Sequence, residues 1–146
     1  MSRSASILVT PESALIPVPS RSVGGAWDKS SPYLKRALDE SEGDYTLGDV
    51  RRMLDAAEGQ LWTVYENGVM SGAGVTKTVK GKVGLVCELW LYAGALPSNF
   101  LELLGEVETW AQAVGCVRMR VFGRRGWVRK LGWTERYTMA DKCLTM

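Results

Sequence analysis

The 146-residue sequence predicts an α+β domain. Three observations carry that expectation. Two early stretches follow a helical apolar period, around residues 31–41 and 46–57. The period then drops to two across residues 60–81, with Asn67-Gly68 in the middle, the residue pair favoured by a two-residue hairpin turn. An apolar run at 82–94 leads into a long amphipathic stretch and a further short strand.

Residues 1–27 hold Ser, Pro, Gly and short aliphatics without a sustained period, and they read as an extended N-terminal arm preceding a domain over 28–146. Its "SILV" and "ALIPV" are apolar for a free tail, which suggests docking on a surface. "SSPYLKRALDE" opens the first helix, with Ser31 as N-cap and Pro32 at the first helical position. The second helix starts at the N-cap Thr46, with Asp49 completing a capping box and Gly59 as its stop. After the hairpin, "KVGLVCELWLYAG" is apolar enough for a strand covered on both faces. Ser98 or Asn99 caps the next helix, whose core face is Phe100, Leu103, Leu104, Val107, Trp110, Ala111 and Val114, with Gly115 ending it. In "CVRMRVF", Val117, Met119 and Val121 share one side, and Arg118 and Arg120 the other. A short helix and a final strand close the chain.

The bulk composition bounds the chemistry. Hydrophobic residues make up 46% and charged residues 23%, which fits a single globular domain. No apolar run approaches the roughly 20 residues of a membrane span, and the start lacks a signal-peptide core, so a cytoplasmic, membrane-free protein is expected. Net charge is only +2, which makes any electrostatic argument local. Cys87, Cys116 and Cys143 form no CxxC pair and read as buried thiols. The histidine count is zero, which removes imidazole bases and nearly every catalytic zinc site, and no metal is expected.

The element order and the local text resemble the GNAT superfamily of acyl-CoA-dependent N-acetyltransferases. The resemblance rests on "VGLVCELWLYAG…FLELLGEVETWAQAVGC", on the strand "VRMRVF" after it, and on "LGW" at residues 131–133, similar to the family's "LGF". It covers roughly residues 30 to 143. It implies a three-layer domain with a central mixed, mostly antiparallel sheet between helices. It makes the basic, glycine-rich "GRRGWVRKLGW" mostly scaffold, with Gly132 as a left-handed helix stop.

The same resemblance exposes departures. Family members cradle the CoA pyrophosphate in a Q/R-x-x-G-x-G/A loop. Here the text is "YAGALPSNF", with one glycine and with Pro97, which has no N–H to donate, although a row of free amides at Gly94, Ala95 and Leu96 could still face phosphate. Where many members carry a tyrosine acid, this chain has Val128. If the protein is active, Glu88 is the base and Leu91, Tyr92, Gly94, Ala95 and Leu96 hold acetyl-CoA. The other reading of Glu88 is an ion pair with Arg118 or Arg120.

The departures favour a catalytically degenerate protein over an enzyme. Compact chains with "GRRGW" near the end resemble GNAT-like bacteriophage virion proteins, so the expectation is a structural component of a larger assembly, without a cofactor. The alternative is an active acetyl-CoA-dependent N-acetyltransferase with an unusual pyrophosphate loop. In the structural-component reading, Arg124, Arg125, Arg129 and Trp127 would face a protein partner, with Trp27 as an anchor either on that partner or on its own domain. The same basic cluster also reads as a solvated face or, less readily, as a contact for nucleic-acid backbone.

Overall fold

A computed structural model describes residues 13–41, 44–121 and 131–133. Its elements are β1 (Ser13–Val18), α1 (Val23–Glu40), α2 (Leu47–Asp55), β2 (Gly59–Glu66), β3 (Val69–Lys80), β4 (Leu85–Gly94), α3 (Phe100–Ala113) and β5 (Cys116–Val121). The strands form one sheet in the order β1-β2-β3-β4-β5. Neighbours are antiparallel except β4 and β5, which run parallel because α3 crosses between them. This is the mixed, mostly antiparallel sheet that the sequence predicts.

The sheet is covered on both faces. On one, Leu34 and Leu38 of α1 and Val50 and Leu54 of α2 pack with Ala73, Val75, Leu91 and Ala93. On the other, Leu104, Val107 and Ala111 of α3 pack with Trp62, Cys87 and Cys116. Trp62 meets Trp110 edge-on at 5.2 Å and donates its indole N–H to Thr76 Oγ1, so a large aromatic is buried with its polar atom satisfied.

The hairpin forms as expected. Asn67 and Gly68 take φ of 53° and 81°, both in the left-handed region that a type I′ turn requires. The capping box is also present: Asp49 N–H donates to Thr46 Oγ1, and Thr46 N–H donates to the Asp49 carboxylate.

Several expectations are corrected. Residues 13–27 are not an extended arm. "ALIPV" pairs antiparallel with β2, from Ser13↔Glu66 to Val18↔Leu61, and α1 begins at Val23, which is buried. Pro17 is tolerated because β1 is the sheet edge among the described residues. Residues 1–12 lie outside the described residues. Ser31 and Pro32 do not start α1 but lie inside it. Pro32 is exposed and gives up one helical hydrogen bond on the solvent side. The helix persists through Gly24 and Gly25 because packing of Val23, Ala26 and Trp27 on the core outweighs their low propensity. The left-handed residue after α2 is Ala57, φ 60°, not Gly59. Gly59 instead opens β2, and a Cβ there would sit 3.2 Å from Val75 Cγ1.

The expected apolar side of β5 also shifts. Leu85 pairs with Cys116 but Val86 with Arg118, so Val117 is an extra residue in the ladder and lies 65% exposed. Val114 is likewise exposed, beyond the last helical residue Ala113. At the other end of the chain, Gly132 has φ 70° after the helical Leu131, while Leu131 and Trp133 pack on the α3-side core. The "LGW" triplet is therefore scaffold, as expected. Among the described residues, no helix is long and apolar enough to cross a membrane.

Candidate functional site

The site grows from an irregularity in β4. Val75 of β3 pairs with Leu91 and Thr76 pairs with Leu89, so Trp90 is an extra residue in β4. Such a bulge turns two successive side chains to the same face. Here Leu89 packs on the α3 side, whereas Trp90 and Leu91 both pack on the α1/α2 side. The described pairing with β5 runs from Leu85 to Leu89, opposite Val121, and the residues that follow Val121 lie outside the described ones. Beyond it, residues 90–94 have β3 on one edge and no strand partner on the other among the described residues.

Glu88 lies just before the bulge and is buried. It sits opposite Lys77 in the register, and the Lys77 ammonium is 3.6 Å from Glu88 Oε2. Arg120 reaches Glu88 Oε1 at 3.8 Å from β5. Of the two ion-pair partners considered from sequence, Arg120 is the one placed there, while Arg118 is exposed. Burying a lone carboxylate is costly, and two flanking cations supply the compensation.

Aromatic faces complete the cluster. Lys77 Nζ lies 4.3 Å from the Trp90 ring centroid and 5.4 Å from that of Tyr45. The two rings meet edge-on at 5.0 Å. Tyr45 directly precedes the N-cap Thr46, so the capping box of α2 fixes the backbone that carries this ring. Tyr45 also lines an open groove of about 800 Å³ along α2, together with the carboxylates of Asp44, Asp49, Asp55 and Glu58 and the guanidinium of Arg52. Asp49 accepts from Thr46 and from Arg52. The Thr46 bonds first, and Arg52 after them, hold its carboxyl below the usual carboxylate range.

The predicted cofactor residues divide. Leu91 is core on the α1/α2 side, so only its backbone is available to a ligand. Tyr92 lies across Gly72 and Gly74, where any Cβ would overlap its ring, and its hydroxyl donates to Ala95 O at 2.6 Å. Burial above all, then the nearby Glu66 and Tyr33, pushes the Tyr92 phenol up to about 12. Gly94 has φ 122° and presses on Ser71 and Gly72. The amide expected to be free at Ala95 is not: its N–H donates to Ser71 O at 3.0 Å. Leu96 is exposed and Pro97 buried. Asn99 occupies the N-cap position of α3 but makes no side-chain capping bond.

Of the two readings of Trp27, packing on its own domain is the one the structure shows, with the ring half-buried. It packs on its own α1/α2-side core beneath the Arg51 guanidinium, 5.2 Å from the ring centroid. Arg124, Arg125, Trp127, Val128 and Arg129 lie outside the described residues. Sequence reasoning missed Lys77 and Tyr45 and treated Trp90 as plain core. A usable signal was the tight reversal closed by Gly81 N–H and Gly84 O. Counting outward from it pairs Lys80 with Leu85 and hence Lys77 with Glu88.

With β3 on one side, an extended, amide-bearing chain such as the arm of an acyl-CoA could pair with the backbone of β4 at 90–94 only along the edge away from β3. The phosphate end fits less well, because Ala95 spends its N–H internally and Pro97 has none. Among the described residues, no cluster of cysteine or acidic side chains is placed to hold a metal.

Comparison with known proteins places the fold. No family model matches the sequence, and no curated protein matches it. Solved acetyltransferases do match in structure. An aminoglycoside N-acetyltransferase in complex with CoA aligns with TM-score 0.62 at 16% identity, over 93% of this chain and 98% of its own. A predicted acetyltransferase with acetyl-CoA from Clostridium acetobutylicum gives 0.64 at 11% identity, over 91% and 97%. A ribosomal-protein-alanine N-acetyltransferase from Brucella melitensis biovar Abortus gives 0.63 at 8% identity, over 90% and 99%. The chain therefore has the GNAT acetyltransferase fold. These likenesses give the virion resemblance no support.

Proposed function

We propose that the protein is an acyl-CoA-dependent N-acyltransferase, with acetyl-CoA as the donor to try first. This is the reading that the sequence ranks second. One observation carries it: a buried carboxylate, Glu88, stands on β4 directly before that strand's bulge, between the cations of Lys77 and Arg120. Fold likeness alone would not suffice, since one fold hosts many functions.

The chain's own groups have separable tasks. The backbone of residues 91–94 would hold the donor's pantetheine arm along the β4 edge away from β3. A thioester donor supplies an activated acyl group. Glu88 is the group placed to take the proton from an attacking amine, and Tyr45 and Trp90 offer ring faces that attract its cationic form. Of the four acids along the groove beside Tyr45, Asp49 pairs with Arg52 and Asp55 with Arg51, and the further Asp44 and Glu58 leave a surplus of negative charge that suits acceptors bringing positive charge. An amine is such an acceptor.

The test is a thermal shift with acetyl-CoA followed by an assay for released CoA thiol across a panel of amines. Ligand at about 100 times its Kd should stabilise the fold by about 2.7 kcal/mol. Glu88→Gln should keep that shift and lower turnover by about 10²- to 10⁴-fold. No shift at millimolar acetyl-CoA would overturn the proposal and favour a non-catalytic role.

A further inference from the structure

The amine position of this site is already filled by the protein itself. Lys77 Nζ lies 3.6 Å from Glu88 Oε2, 4.3 Å from the Trp90 centroid and 5.4 Å from the Tyr45 centroid. A carboxylate and two ring faces are what an acceptor's amine would use. Only 17% of the Lys77 side chain is exposed, so reagents from bulk solvent reach it poorly. The Lys77 ammonium reaches from β3 over β4 to Glu88 and Trp90, so a donor along the other edge of β4 with its thioester beside the bulge at Trp90 would meet it there.

We propose that Lys77 is an acceptor of this protein's own acyl transfer, a self-acylation site. The inference rests on the acyltransferase reading above. In the step, the Lys77 ammonium gives a proton to the Glu88 carboxylate, and the free amine attacks the thioester carbonyl carbon. The C–N bond forms, the C–S bond breaks, and the attacking nitrogen's second proton goes to the departing sulfur, so that CoA leaves as the thiol. The first proton passes from Glu88 to solvent. The product amide carries no charge, so the Lys77–Glu88 ion pair is lost while Arg120 remains beside Glu88.

Selectivity among lysines is the telling readout. The full-length protein is treated with acetic anhydride, and separately with acetyl-CoA, and each lysine is mapped by peptide mass. The anhydride should label the exposed Lys29, Lys35, Lys80 and Lys82 first and Lys77 last. Acetyl-CoA should reverse the order, labelling Lys77 at least about 10-fold faster than those four. Glu88→Gln should cut the acetyl-CoA labelling of Lys77 by at least about 10-fold, without changing the anhydride pattern at exposed lysines. Lys77→Arg, which keeps the cation, serves as the folded control that cannot be labelled there. If acetyl-CoA raises the melting temperature but Lys77 stays unmodified, the self-acylation fails and the acyltransferase reading stands. Labelling that follows the anhydride order, or that survives Glu88→Gln, marks uncatalysed thioester chemistry and also overturns it. If acetyl-CoA does not bind at all, both readings fall together.

Discussion

The two halves of β4 do different work on one strand. From Leu85 to Leu89 it lies between β3 and β5, and its side chains Val86, Cys87 and Glu88 are buried. From Trp90 to Gly94 it keeps β3 but has no strand partner on the β5 side among the described residues. The first half is a sheet interior, where a carboxylate persists only because Lys77 and Arg120 flank it. The second half still buries Leu91 and Ala93 on the α1/α2 side, and the extra residue Trp90 separates it from the first. In the acyltransferase reading a donor would lie along its edge away from β3. A strand that is well packed on its faces can spare an edge for a ligand, because face packing rather than pairing carries most of its stability.

Perturbing the second half should affect folding most. Gly94→Ala places a Cβ against the Ser71 carbonyl oxygen and Gly72 Cα, at a φ of 122° that L side chains rarely adopt. The expected loss is about 4 kcal/mol in chemical denaturation. A loss under about 1 kcal/mol would mean that the end of β4 is loosely held. Leu91→Ala comes next, with a loss of about 3 kcal/mol from the cavity left in the α1/α2-side core. If Leu91→Ala costs much less, the second half is not anchored by its face, and the contrast between the halves weakens.

Much of this architecture was legible in the sequence. The hairpin at Asn67-Gly68, the capping box at Thr46 and Asp49, and the α3 core face at Leu103, Leu104, Val107 and Ala111 are local signals, and each appears where predicted. What the sequence concealed depends on tertiary contact. β1 carries Pro17 and only six residues, and it becomes a strand through pairing with β2. The start of α1 contains Gly24 and Gly25 and is helical because Val23 and Trp27 pack on the core. The site divides in the same way. Glu88 was visible as a charge in an apolar run, whereas its setting required the register of three strands and the bulge at Trp90. Ala95 illustrates the converse: a backbone amide offered to phosphate by the sequence is spent on Ser71 O.

A thiol experiment sharpens the first half of the comparison. Cys87 is fully buried beside Cys116, and burial foremost pushes its thiol up to about 11. Reaction with an aromatic disulfide reagent at pH 8 should therefore be negligible at Cys87 until the protein unfolds. Rapid labelling of Cys87 in the native protein would show that the paired half opens readily.

The smallest expected effect lies at the cap of α2, which positions Tyr45 against Trp90. Thr46→Ala removes the oxygen that accepts from Asp49 N–H and should cost about 1 kcal/mol. The Asp49 side of the box adds a pH dependence whose sign is fixed. Its folded carboxyl is held below the ordinary value of 3.8, chiefly by Thr46. The unfolded chain therefore binds the proton more readily than the native one. The stability that Asp49 contributes is present above pH 3.8 and is lost as pH falls through its lower, folded value. Asp49→Asn should be less stable than the wild type at neutral pH, and the difference should shrink on acidification below 3.8. Denaturation of both proteins across that range, with Trp90 environment followed by fluorescence in variants that retain it as the principal emitter, measures both effects. If the gap between them stays constant through the acid range, the carboxylate is not the stabilising part of the box. Tyr45 would then owe its place on Trp90 to ring packing rather than to the cap.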